Sequence, residues 1–183
     1  MNNNPTIKSP ILLKLFNKKK NQVLFLVFSI FSIAVMVMLF LFSNQPATES
    51  AALSNGLSDV IADFIADVIN DDPSQKVAIF TFLQTFIRKL AHFTLFALLG
   101  FFLGSAALNI KGKKVYKKLS VSAIIGLVYC ITDEVHQLFI PERSGEVRDV
   151  IIDFSGVLFG ILIALAAYKI ICSVSKKRKS KKL

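Results

Sequence analysis

Arg88, Lys89 and His92 stand at i, i+1 and i+4, so a helix through them carries Arg88 and His92 on one face. Asp133, Glu134 and Gln137 repeat the arrangement, with Asp133 and Gln137 one turn apart, and Asp149 and Asp153 make a third pair at the same spacing. Arg143 and Arg148 flank a Ser144-Gly145 turn signal between the second and third groups. Two chemistries suit these residue types. A histidine with a carboxylate, His92 and Glu134, is the combination that general acid–base catalysis uses. Arginine's planar fork matches carboxylate or phosphate, so the loop could close salt bridges or hold an anionic headgroup. Each group also has a plain structural reading: His92 as a hydrogen-bonded interior histidine, Asp133 and Glu134 as ion-pair anchors, Asp149 as a charge at a helix N-terminus. Cys130 and Cys172 are too few for a disulfide scaffold and join no Cys/His cluster, so no metal, no cofactor and no intrachain disulfide are expected.

The elements that must position these groups are membrane helices. Hydrophobic residues make up 54% of the 183-residue chain against 19% charged, with mean hydropathy +0.59, more apolar than a soluble fold requires. This excludes a secreted mini-protein, a disordered tail and most cytosolic enzymes. A net charge of +10 would suggest nucleic acid in a soluble chain, but here the basic residues punctuate long apolar runs, so no nucleic-acid partner is expected. A hydrocarbon core of about 30 Å takes roughly 20 helical residues to cross. Four runs reach that size: Val23–Phe42, Leu90–Ile110, Leu119–Ile140 and Val150–Val174. They are continuously apolar without alternation, which predicts helices and not a barrel. The first is too long for a cleaved signal and reads as a signal anchor. The expected fold is therefore an all-α membrane protein, four transmembrane helices in a bundle.

Basic residues orient the chain. Seventeen of the 22 Lys and Arg fall in the N-terminus (residues 1–22), the second connection, and the fourth span's end with the tail at 175–183. The other five share the opposite side with all 12 carboxylates, for a net −7 there. Both termini should be cytoplasmic in the cell membrane. The outer loop, residues 43–89, has a pattern of its own: Leu53, Leu57, Val60, Ile61, Phe64 and Ile65 repeat at helical spacing opposite Asp59, Asp63 and Asp67, predicting an outer amphipathic helix between the first and second spans. Residues 77–87 read equally as a separate outer helix or as a lead into the second span. Within the core of three spans, residues 90–174, Asp133 falls about 10 Å deep if Ile140 marks the outer boundary. Buried ionisable groups generally face the bundle interior, so Arg88, Lys89, Arg143 and Arg148 are its expected partners. Gly156 and Gly160 permit a close helix–helix approach. Three helices thus bring polar groups to one depth.

The residues that do so resemble a family signature. Phe42-Ser43-Asn44-Gln45, Arg88-Lys89-Leu90-Ala91-His92-Phe93, Asp133-Glu134-Val135-His136-Gln137-Leu138-Phe139, and Arg143-Ser144-Gly145 leading to Asp149, Asp153 and Gly156 resemble the VanZ-like family of bacterial membrane proteins, over most of residues 40 to 165. Two positions depart: Leu95-Phe96 stands where the family commonly has an acidic and aromatic pair, and Asp153 where it commonly has Asn. The resemblance implies a multi-pass protein of the bacterial cell envelope, with low-level teicoplanin resistance in the family's namesake, and implies no known reaction. Three functions stay open. The first is an outward-facing polar pocket, formed by Arg88, Lys89, His92, Asp133, Glu134, Gln137, Arg143, Arg148, Asp149 and Asp153, that binds a lipid headgroup or cell-wall precursor and influences glycopeptide susceptibility. The second is an intramembrane hydrolase or transferase on a lipid-linked or phosphate-bearing substrate, with His92 and Glu134 as its catalytic pair. The third is a structural bundle whose charges lock helix ends. Membrane lipids, a cell-wall precursor or a glycopeptide are the expected partners; oligomeric state is left open.

Overall fold

A computed structural model of the chain describes residues 10–45, 73–112, 114–141, 143 and 145–180. Four helices account for nearly all of them: α1 (Pro10–Ser43), α2 (Pro73–Leu108), α3 (Val115–Gln137) and α4 (Val147–Ser180). All four are long and apolar enough to cross a membrane, and the described residues contain no strand. The architecture is that of an all-helical multi-pass membrane protein. The expected amphipathic helix between the first two spans lies outside the described residues.

The span boundaries differ from the hydropathy reading in two informative places. α2 runs without a break from Pro73, so residues 77–87 lead into the second span and are not a separate helix. α3 stops at Gln137, three residues short of Ile140. There the amides of Phe139 and Ile140 turn back to the carbonyls of His136 and Gln137, at 3.0 and 3.1 Å, tightening the chain before Pro141, which cannot continue a helix. Leu138 and Phe139 are apolar, which is why hydropathy carried the span through them, yet Phe139 is 79% exposed. Measured from the true helix end, Asp133 lies only about 6 Å in, one turn.

Helix α2 packs most extensively on α4, and α1 leans mainly on α2. The α2–α4 contact is made by missing side chains. A Cβ on Gly160 would clash with the carbonyl of Ala97, and one on Gly100 with that of Val157. On Gly156 it would stand 2.6 Å from the carbonyl oxygen of Phe93. The expected Gly156/Gly160 stripe therefore does meet another helix, and α2 answers it with a stripe of its own, Gly100 and Gly104, that the spacing argument had not used. In lipid, where hydrophobic burial does not drive helices together, such close backbone approach supplies the dispersion contact that does. Leu39 of α1, Phe96 and Leu99 of α2, Cys130 of α3 and Val157 of α4 fill the centre. Ile30, Leu162 and Ile170 are exposed on the outside, as lipid-facing side chains would be. Tyr129 ties α3 to α1, its hydroxyl donating to the Met36 carbonyl at 2.5 Å. Both cysteines are free.

Candidate functional site

The parallel run of α2 beside α4 sets Lys89 and His92 next to Asp149 and Asp153 in the first turns of α4, and α3 closes the third side. Asp153 is 2% exposed and Asp133 3%. His92 Nδ1 lies 4.0 Å from Asp153 Oδ2. Lys89 makes an ion pair with Asp149 in the first turn of α4, where a carboxylate also suits the helix dipole. Glu134 accepts a hydrogen bond from the backbone N–H of Glu146 at 3.0 Å, which holds the α3–α4 connection against the bundle.

Asp133 is held differently from the expectation. None of Arg88, Lys89, Arg143 and Arg148 comes within ion-pair distance of it among the described residues, Lys89 being paired with Asp149 instead. Its Oδ2 instead accepts from Ser43 Oγ at 2.9 Å and from Gln137 Nε2 at 3.0 Å. Ser43 is fully buried at the last turn of α1, so a fourth helix contributes to a cluster expected from three.

Eight of the expected residues line a single cavity of about 150 Å³: Arg88, Lys89 and His92 on α2, Glu134 and Gln137 on α3, Asp149 and Asp153 on α4, and Arg143 from the connection. Thr85, Glu146 and Ile152 complete it and carry no sequence signal that sets them apart. Asp133 is enclosed next to the cavity, joined to its wall by Gln137. Arg148 is not in it. That side chain is exposed and borders a neighbouring apolar cleft of about 460 Å³ with Phe82, Phe86, Leu90 and Phe93. The two spaces share Thr85, Lys89 and Ile152.

The cavity's charges are unevenly matched. Lys89 has Asp149, whereas Arg88 and Arg143 have no carboxylate within ion-pair distance among the described residues. Burial, reinforced by the nearby Arg88 charge, pushes the Arg143 guanidinium below its usual range. Its Nη2 donates to the Phe42 carbonyl at 3.4 Å, and its Nε is buried without a hydrogen-bond partner among the described residues. Two guanidiniums and Lys89 thus share the cavity with the carboxylates of Glu134, Glu146, Asp149 and Asp153.

One nitrogen of His92 and one oxygen each of Asp133 and Asp153 also lie within 4.8 Å of one another. The expectation of no metal rested on Cys/His spacing along the chain. Three ligands drawn singly from three helices escape any such rule.

Of the residues that spacing missed, only Ser43 sat in a recognisable place, the polar step Phe42-Ser43-Asn44-Gln45 where an apolar run ends. Nothing local says that it faces a carboxylate 90 residues away. His136, inside the Asp133–Phe139 motif, stacks on Phe40 with ring centroids 4.7 Å apart and does not line the cavity.

Compared with known proteins, residues 28–170 match the family model VanZ/LLP1, more than three quarters of the chain. No curated protein and no solved structure matches it.

Proposed function

The chain belongs to the VanZ/LLP1 family, and from that premise we propose that it is a bacterial cell-envelope protein whose cavity binds the phosphate of a lipid headgroup or of a lipid-linked cell-wall precursor, and thereby influences susceptibility to teicoplanin-type glycopeptides. The observation that carries this reading is the pair Arg88 and Arg143, two guanidiniums lining one cavity, the second with a buried Nε that has no hydrogen-bond partner among the described residues. Phosphate is the natural partner for arginine forks, and a site partly shielded from water strengthens the attraction. About 150 Å³ holds some five waters at roughly 30 Å³ each, the size of a headgroup and smaller than the 300–1,000 Å³ of drug-sized pockets. Glycopeptide itself does not fit; an effect on susceptibility would pass through the precursor the drug binds. The adjoining apolar cleft supports a lipid-linked ligand over a free phosphate, because an acyl or prenyl chain leaving the cavity past Lys89 and Ile152 would enter it directly.

The test is binding of a polyprenyl phosphate, an anionic phospholipid and inorganic phosphate to the purified full chain in nanodiscs. A charge-assisted hydrogen bond contributes about 1.5–3 kcal/mol, so Arg88→Gln and Arg143→Gln should each weaken lipid phosphate binding roughly tenfold or more. Unchanged affinity in both variants sinks the proposal. Equal affinity for inorganic phosphate would remove the lipid from it. Expressed in a susceptible host, the wild-type chain should shift glycopeptide susceptibility and Arg143→Gln should not.

A second reading has one observation in its favour: His92 and Glu134 line the same cavity, as a general acid–base pair must. On that reading the protein is an intramembrane hydrolase or transferase acting on the bound phosphate ester. Turnover of the polyprenyl phosphate or phospholipid by wild type, lost in His92→Gln with binding retained, would establish it; binding without turnover would dismiss it.

A further inference from the structure

We propose that His92, Asp133 and Asp153 bind one divalent transition-metal ion of the zinc, manganese or iron(II) type. The site adjoins the cavity and stands on its own geometry, whether or not the cavity takes a phosphate.

The first argument is reach. One ligand atom from each residue lies within 4.8 Å of the others, and His92 Nδ1 to Asp153 Oδ2 is 4.0 Å. Metal–ligand bonds of about 2.0–2.2 Å at tetrahedral or octahedral angles place neighbouring ligands about 3.0–3.5 Å apart, so side-chain rotations that move these atoms by about 1 Å close the site.

The second argument is the state of Asp153. It is 98% removed from solvent, borders the cavity, and receives no hydrogen bond from any described residue; among the described residues the one ion-pair partner in range is His92, at 4.0 Å. A buried carboxylate without a partner is costly, and here a second one stands beside it. The cavity's cations do not resolve this. Lys89 is taken by Asp149, and neither arginine is within ion-pair distance of Asp133 or Asp153 among the described residues. A dication between the two carboxylates cancels both charges at once.

The third argument is how Asp133 is held. Both of its donors, Ser43 and Gln137, go to Oδ2. This leaves Oδ1 for a further partner while fixing the carboxylate plane, the arrangement by which second-sphere groups orient metal ligands. The donor set then selects the ion. One imidazole and two carboxylates suit zinc, manganese and iron(II), lack the thiolates that copper(I) prefers, and differ from the all-oxygen shells of calcium and magnesium. Three protein ligands leave coordination positions for water.

The experiment uses the untagged full chain in nanodiscs, stripped with chelator and titrated with zinc(II), manganese(II) and cobalt(II) alone, with no phosphate present. One saturable equivalent is expected, with visible cobalt absorption and a thermal unfolding temperature that rises with metal concentration. Asp153→Asn and His92→Gln should each weaken binding more than the roughly 10- to 100-fold typical of losing a second-sphere partner, Ser43→Ala should fall within that range, and Arg148→Gln should change nothing. Should Asp153→Asn not fold, Ser43→Ala keeps all three ligands and still reads the site. Absence of a saturable equivalent, or affinity unmoved by these substitutions, overturns the inference and leaves protons as the ions that neutralise the two carboxyls. Because phosphate is left out, failure here does not touch the phosphate reading, and failure of phosphate binding does not touch this one.

Discussion

At the residue scale, the site is governed by which polar groups find partners. Ser43 contributes no charge and was not singled out by its spacing, yet its hydroxyl supplies half of the hydrogen bonding to Asp133 from described residues. Removing it leaves a buried carboxylate oxygen short of a donor, a loss of about 1–3 kcal/mol. Ser43→Ala should accordingly lower the unfolding temperature of the chain in detergent, whereas Ser29→Ala, which removes only an exposed bond to the Phe25 carbonyl, should leave it nearly unchanged. Equal effects would mean that the Ser43–Asp133 contact carries no weight. The legibility of these residues divides along the same line. Residue type and helical spacing were enough to nominate His92, Glu134, Asp149 and Asp153, since ionisable groups in apolar runs have few other uses. Type could not say that Arg148 points away while Arg143 turns in, because only the structure shows that α4 starts at Val147 and takes Arg148 into its first turn, leaving Arg143 in the connection.

At the element scale, the contact of α2 with α4 decides the geometry of everything above it. Both stripes of glycine lie in that contact, and Gly160 sits where any side chain meets the Ala97 carbonyl. Overpacking in a close contact costs typically 1–3 kcal/mol, and a branched side chain here must push the helices apart along their length. Gly160→Val should therefore destabilise the protein by at least that range, read as a lower unfolding temperature, and should also weaken ligand binding at the cavity although it touches none of its residues. Gly112→Ala, whose site has open space but a φ of 86°, tests a different cost and should affect stability without affecting binding. Helix number and approximate position followed from hydropathy alone, because a run of about 20 apolar residues has only one stable form in lipid. Helix ends did not. Apolar Leu138 and Phe139 prolong the hydropathic run, while Pro141 and the turn before it end the helix.

At the scale of the whole molecule, the charge distribution makes a prediction about orientation. Seventeen basic residues on one side and a net −7 on the other correspond to cytoplasmic termini by the positive-inside rule. Cys130 is fully buried in the bundle, so replacing Cys172 alone yields a background for accessibility labelling. In Cys172→Ser, a cysteine introduced at Asn55 should react with a membrane-impermeant thiol reagent on intact cells, and one at Ser180 should react only after lysis. The reverse pattern would invert the protein and put the cavity on the cytoplasmic face, where a cell-wall precursor could still be met but an extracellular drug could not.

Apolar run length, helical spacing and charge bias were sufficient for four spanning helices, for the faces on which polar groups gather, and for an expected orientation, while the family was legible only in the motifs that those residues form. All three are local or additive properties, and a helix in lipid closes its hydrogen bonds within itself. The partner of Asp133, the exclusion of Arg148 and the meeting of His92 with two aspartates came from the tertiary structure. They depend on which face of one helix meets which face of another, and that is decided by close packing of glycine-lined backbones and by where each helix stops, neither of which any single helix encodes.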